Sequence, residues 1–167
     1  MTQPILVFSY GNPSRGDDAI GPNIHEYLLA NPAPDTDTLT DFQLQIEHTE
    51  DLLGREAVIF VDASITAEPP FEFYPIQPEQ EYSYTTHAMS PQTILSVFNQ
   101  VNHQPPPAAY MLSVRGYQFE LGESLSNSAQ NNVLQAIEFL MAITRYPPTE
   151  WLNHIQINDK LSVIKNR

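Results

Sequence analysis

The segment ILVFSYGNPSRGDDAIGPNIHEYL, residues 5–28, decides the fold. Ile5 to Phe8 is an unbroken apolar run, the pattern of a strand buried on both faces, and Gly11-Asn12-Pro13 turns the chain out of it. Beyond the turn Ile20, Ile24, Tyr27 and Leu28 recur at helical spacing. Asp17 and Asp18 stand where carboxylates satisfy free backbone N–H groups and complement the helix dipole. Asn31-Pro32 stops that helix. A strand leading through a short acidic turn into a helix is the first unit of an α/β sheet.

The alternation continues downstream. Thr38 to Ile46 reads as a second strand, and Glu50 to Leu53 as one or two helical turns ended by Gly54. Ala57 to Val61 is a β-branched strand ended by Asp62. Phe71 to Ile76, bracketed by Pro69-Pro70 and Pro78, suits a sheet edge, where a missing N–H does no harm. Ser90 as cap and Pro91 at the first helical position open a helix with Ile94, Leu95, Val97, Phe98 and Val101 on its apolar face. Ala108 to Val114 is a further strand. A long helix runs from about Ser126 to Thr144, with Val133, Leu134, Ile137, Leu140 and Met141 inward, and Pro147-Pro148 ends it. The expected fold is a single α/β domain over residues 1–146, a twisted, mostly parallel sheet of about five strands with helices on both faces, followed by a C-terminal tail at 147–167.

Composition narrows the function. The 167 residues carry 20 Asp and Glu against 7 Lys and Arg, a net charge of −13, and no Cys. Without Cys there is no thiolate nucleophile, disulfide, iron–sulfur cluster or thiolate zinc site. The acidity argues against nucleic acid and anionic membrane as partners. Residues 31–90 hold 12 acidic residues and one base, Arg55, a surface for solubility or for steering a basic segment or a metal-bearing partner. The N-terminus lacks the positive region of a signal peptide. Residues 82–114 contain no charged side chain, but their polar residues and Pro105-Pro106-Pro107 are unsuited to a bilayer. The chain reads as soluble and cytoplasmic.

Open α/β sheets gather working residues beyond the carboxyl ends of their strands. Three segments place such groups there: Gly11 to Gly21 with Asp17 and Asp18, the strand end at Asp62, and Thr85 to Pro91 with His87. Two carboxylates and an imidazole could take a divalent transition metal, or act as base and orienter in hydrolysis. The glycines at 11, 16 and 21 match neither a dinucleotide fingerprint nor a P-loop, and no H-E-x-x-H or G-x-S-x-G occurs. His48, beside Glu47, reads as a solvated or capping residue.

These residues together resemble a known family. Gly-Asn-x-x-x-x-Asp-Asp-x-x-Gly at 11–21, Val61-Asp62-Ala63, Thr-His-Ala-Met-Ser-Pro at 86–91 and the stretch Arg115 to Ser126 are similar to the nickel–iron hydrogenase maturation proteases, over roughly residues 4–144. The stretch at 45–53 is similar to the branch serving soluble, cytoplasmic hydrogenases. The resemblance implies an aspartyl-type endopeptidase, an activator of another enzyme. It removes the C-terminal extension of the hydrogenase large-subunit precursor once nickel is in place. It also implies that Asp18, Asp62 and His87 are both the catalytic and the metal-meeting residues. The nickel would come from the substrate rather than reside in the free protease. Ala19 stands where the family often has Gly, and Asp18 where Glu is common. A non-catalytic nickel checkpoint for hydrogenase assembly and a general zinc hydrolase are the alternatives.

Overall fold

The computed structural model describes residues 2–80 and 89–160, with side chains as far as Ile155. Its five strands are β1 (Ile5–Tyr10), β2 (Thr36–Asp41), β3 (Ala57–Ser64), β4 (Phe71–Ile76) and β5 (Ala108–Arg115). They form one sheet in the order β2-β1-β3-β5-β4, parallel throughout except that β4 runs antiparallel to β5. The helices are α1 (Ile20–Ala30), α2 (Pro91–Asn102), α3 (Asn127–Ile143) and α4 (Trp151–Lys160). The expected α/β class, with a mostly parallel sheet of five strands, is therefore the observed one.

Alternation along the central strands separates two cores. Ile5 and Val7 of β1 with Ile59 and Val61 of β3 face α1, α3 and α4. Leu6 and Phe8 with Val58 and Phe60 face α2 and a 3-10 turn at Ile46–Leu52. All eight side chains are buried, each contributing about 1.5–3 kcal/mol of transfer free energy. Burial on both faces explains why β1 and β3 read as continuous apolar runs. β4 lies at the edge, where Pro75 costs the ladder no inner hydrogen bond.

The chain goes from β1 through α1 to β2 on one side of the sheet, while β3 lies on the other side of β1. The order therefore switches between β1 and β3, and a crevice opens beyond their carboxyl ends. The start of α1 is pressed onto the end of β1: a Cβ at Gly21 would stand 2.4 Å from the Tyr10 carbonyl oxygen.

Several local expectations are corrected. β2 covers Thr36–Asp41 rather than extending to Ile46, because a reciprocal capping box between Gln45 and His48 starts the 3-10 turn. Val101 and Leu134, expected inward, are exposed. The inner face of α3 holds Asn132 instead, which donates to the Arg115 carbonyl at 3.0 Å and the Tyr117 hydroxyl at 3.2 Å. Within the segment read as a tail, Trp151 of α4 is fully buried. Its ring centroid lies 5.1 Å from that of Tyr110, and its indole N–H donates to the Tyr146 carbonyl at 2.9 Å. The expected Ser90 cap is present, its Oγ accepting from Thr93 N–H, and Ser126 caps α3 in the same way, its Oγ accepting from Ala129 N–H.

Candidate active site

The turn after β1 carries Asp18 and is closed by its own hydrogen bonds. Asn12 N–H donates to Asp18 Oδ2 at 2.6 Å, Arg15 N–H to the Asn12 carbonyl at 3.1 Å, and Asp18 N–H to the Arg15 carbonyl at 3.0 Å. Gly11, at φ 150°, passes so close that a Cβ there would lie 2.1 Å from the Asp18 carbonyl oxygen. Side-chain bulk at that position would push Asp18 aside.

Asp17 points the other way. The two acids were expected at the start of the first helix, but they lie in a separate 3-10 turn, Gly16–Ala19, and neither caps α1. Asp17 is fully buried and accepts from Tyr117 N–H at 2.6 Å, Gln118 N–H at 3.1 Å, Ser126 N–H at 2.7 Å and the Ser126 hydroxyl at 2.8 Å. Burial pushes its pKa up, but the donors from Ser126, Tyr117 and Gln118 outweigh it and hold the pKa below the usual carboxylate value. Asp17 is thus a clamp holding the 116–126 loop against the acidic turn. It does not reach the crevice.

Asp62 lies near the end of β3, on the same sheet face as Val58 and Phe60. Its Oδ1 accepts from Ala63 N–H at 2.8 Å. Burial first, then the charge of Asp18, push its pKa up to about 7, against the pull of the Ala63 N–H. The two carboxylates therefore feel one another across the switch point, and Asp62 is poised between its two protonation states near neutral pH.

Sequence reasoning missed the hydroxyl groups beside this pair. Tyr10 follows Phe8 by two residues and shares its face. Burial, followed by the negative charge of Asp62 and the neighbouring Tyr74, raises the Tyr10 pKa well above its ordinary value, so the phenol stays a donor. Ser113 stands opposite Asp62 in register, and its hydroxyl lies 3.2 Å from Tyr74 Oη. Period-2 alternation from Phe8 was the one signal that could have found Tyr10. Ser113 and Tyr74 depend on strand order.

A cleft of about 540 Å³ opens beside Asp18, lined by Asn12, Arg15, Asp41, Phe42, Gln43 and Gln45 as well. Its wall is backed by His48, whose Nδ1 accepts from Gln45 N–H at 2.8 Å and whose Nε2 lies 3.1 Å from Asp41 Oδ2. The capping reading of His48 holds. His87 lies outside the described residues. Among the described residues no three His, Asp or Glu side chains converge as a metal site.

No protein-family model matches the chain, and no curated protein sequence matches it. Solved structures do. HycI, a NiFe hydrogenase maturation protease from Thermococcus kodakarensis KOD1, superposes with a TM-score of 0.68 at 21% identity, over 87% of this chain and 94% of that one. The chain has the fold of the hydrogenase maturation proteases. The maturating endopeptidase HybD from E. coli shares that fold at a TM-score of 0.66 and 22% identity, covering 84% of this chain and 91% of its own. E. coli HycI, an endopeptidase, matches at 0.64 and 18% identity, over 85% and 90% of the two chains. In this fold Asp18 lines the cleft after β1, Asp62 sits near the end of the neighbouring β3, and Asp17 is turned into the 116–126 loop. Among the described residues no helix is long and apolar enough to cross a membrane.

Proposed function

We propose that this chain is a cytoplasmic endopeptidase that removes the C-terminal extension from a NiFe hydrogenase large-subunit precursor after nickel insertion. The observation that carries the reading is the pairing of Asp18 with Asp62. They stand across the switch point of a maturation-protease fold, close enough that the charge of Asp18 helps lift Asp62 to about 7. A carboxyl poised there can take a proton from an attacking water and return one to the leaving amine at neutral pH. It can also present an anion to a cation.

Nickel enters as part of the substrate. Asp18, Asp62 and His87 offer oxygen and imidazole donors, which suit a divalent transition metal without competing as thiolates for an ion already bound elsewhere. Tyr10, held protonated by burial and by Asp62, supplies a hydrogen-bond donor beside the reacting carboxylates. Ala63 N–H fixes one oxygen of Asp62 and with it the orientation of the carboxylate.

The test mixes the protein with nickel-loaded precursor and follows the size of the large subunit. Shortening at one position is expected, and a stable complex without shortening would make the protein a checkpoint rather than a protease. Stoichiometric zinc surviving dialysis would favour a zinc hydrolase. Asp18→Asn, Asp62→Asn and His87→Ala should each leave a folded protein and at least about a hundredfold slower cutting, the scale of a lost acid–base group. Normal processing by all three would refute the assignment.

A further inference from the structure

Arg15 and Arg55 are the only Arg or Lys residues in 1–90. Arg55 is committed: its guanidinium donates to Asp37 Oδ2 and to the Gln3 carbonyl. Arg15 is exposed on the wall of the cleft beside Asp18, and its guanidinium has no hydrogen-bond or ion-pair partner among the described residues. Two carboxylates line the same cleft, and either would ordinarily attract it. Both are engaged by other donors. Asp18 Oδ2 accepts from Asn12 N–H at 2.6 Å, Asp41 Oδ1 accepts from Phe42 N–H at 2.7 Å, and Asp41 Oδ2 lies 3.1 Å from His48 Nε2.

Each carboxylate of the cleft thus has a donor other than Arg15, which stays open in a chain whose net charge is −13. The backbone carrying that cation is held at both ends. Gly16 N–H donates to the Glu123 carbonyl at 3.0 Å, Gly122 N–H to the Ser14 carbonyl at 2.7 Å, and Asp17 is clamped as described. Arg15 is therefore presented from a fixed turn, three residues before Asp18. Beside it Phe42 is 62% exposed, an apolar surface for a neighbouring side chain of the same ligand.

We propose that Arg15 is a specificity-determining residue that binds a carboxylate of the precursor's extension in this cleft. The proposal rests on the proteolytic reading above and names what that site recognises beyond the metal. A guanidinium pairs with a carboxylate through two parallel N–H donors, which fixes orientation as well as position. The overall field of this acidic chain repels an acidic peptide, so acceptance of one depends on this local contact. One turn separates Arg15 from Asp18. The carboxylate therefore falls within about three residues of the cut bond, at about 3.3 Å of extended chain per residue.

The carboxylate has two possible sources, an Asp or Glu side chain and the free C-terminus of the precursor. Cleavage of nickel-loaded precursor by wild type and Arg15→Ala is followed to separate KM from kcat. The expected result is a KM raised about tenfold, the scale of one charge-assisted hydrogen-bonded pair, with kcat within about twofold. Replacing each acidic residue near the cut site by its amide, one at a time, tests the side-chain source. Appending glycines to displace the terminal carboxylate tests the other. One of these substrates should raise the wild-type KM as Arg15→Ala does and add nothing further in that variant. Arg15→Glu should regain affinity for a precursor whose responsible acid is changed to Lys.

An unchanged KM in Arg15→Ala, or additive effects for every carboxylate, overturns the proposal while leaving the protease reading intact. If wild type leaves the precursor uncut, the protease reading fails. The same Arg15 cycle is then read from dissociation constants for immobilised nickel-loaded precursor, and coupling there supports the carboxylate contact on its own.

Discussion

Replacing Asp17 by Asn tests the clamp with little change of shape. The carboxylate accepts three hydrogen bonds at Oδ2, from Tyr117 N–H, Gln118 N–H and the Ser126 hydroxyl, and one at Oδ1, from Ser126 N–H. An amide keeps one acceptor oxygen. Its better orientation retains the Oδ2 partners and turns the NH2 group onto Ser126 N–H, leaving two buried donors face to face. Each unsatisfied buried donor costs about 1–3 kcal/mol, and the retained bonds lose their charge assistance. The substitution should therefore destabilise the fold by about 3–5 kcal/mol, which lowers Tm by about 6–20 °C in a chain of this length.

The pH dependence supplies a second reading. The folded pKa of Asp17 is depressed, so its contribution is fully present above the unfolded carboxylate pKa of about 3.9. It is lost as pH falls from there through the folded pKa. Urea unfolding of wild type and Asp17→Asn between about pH 3 and pH 7 should show a gap that is wide at neutral pH and narrows below about pH 4. The reasoning is refuted if the variants differ by less than about 1 kcal/mol at pH 7, or if the gap is constant across the range. Amide exchange should accelerate most at Ser126, whose N–H loses its acceptor, and less at Tyr117 and Gln118, whose bonds lose only their charge assistance.

Gly11→Ala, whose Cβ would meet the Asp18 carbonyl, should displace the acidic turn and slow precursor cutting by more than about tenfold, measured beside its melting curve. Trp151→Ala should cost about 3–5 kcal/mol in chemical denaturation, whereas Trp151→Phe should cost less, because an aromatic ring still meets Tyr110. In the metal-free protein, Asp18→Asn should lower the carboxyl pKa of Asp62 from about 7, followed by carbon NMR; an unchanged value would mean that burial alone raises it.

The α/β class was legible because its signals are local. Ile5 to Phe8 and Ala57 to Val61 are apolar without interruption, which only a strand covered on both faces tolerates in a short run. Ser90-Pro91 and Ser126 mark helix starts through bonds made three residues away. The expected end of β2 failed for a local reason of another kind: alternation from Leu39 to Ile46 looks like strand, while the Gln45–His48 capping box turns the chain instead. Leu134 and Val101 fit helical spacing, yet exposure is set by where neighbouring elements end.

The site divides along the same line. The sequence by itself determined which residues could do chemistry at strand ends, Asp18 and Asp62 among them, because strand ends and turn residues are read from short-range pattern. Only the tertiary structure decided which acid of the Asp17–Asp18 pair is available. The donors that claim Asp17 lie 100 to 109 residues away, and nothing in the local sequence announces them. The tertiary structure also brought Asp18 within electrostatic reach of Asp62, put the hydroxyl groups of Tyr10, Tyr74 and Ser113 near Asp62, and left the guanidinium of Arg15 open. Each depends on strand order and on which partners are already taken. Both are properties of the packed sheet, because burial and competition for hydrogen bonds exist only once distant segments have met.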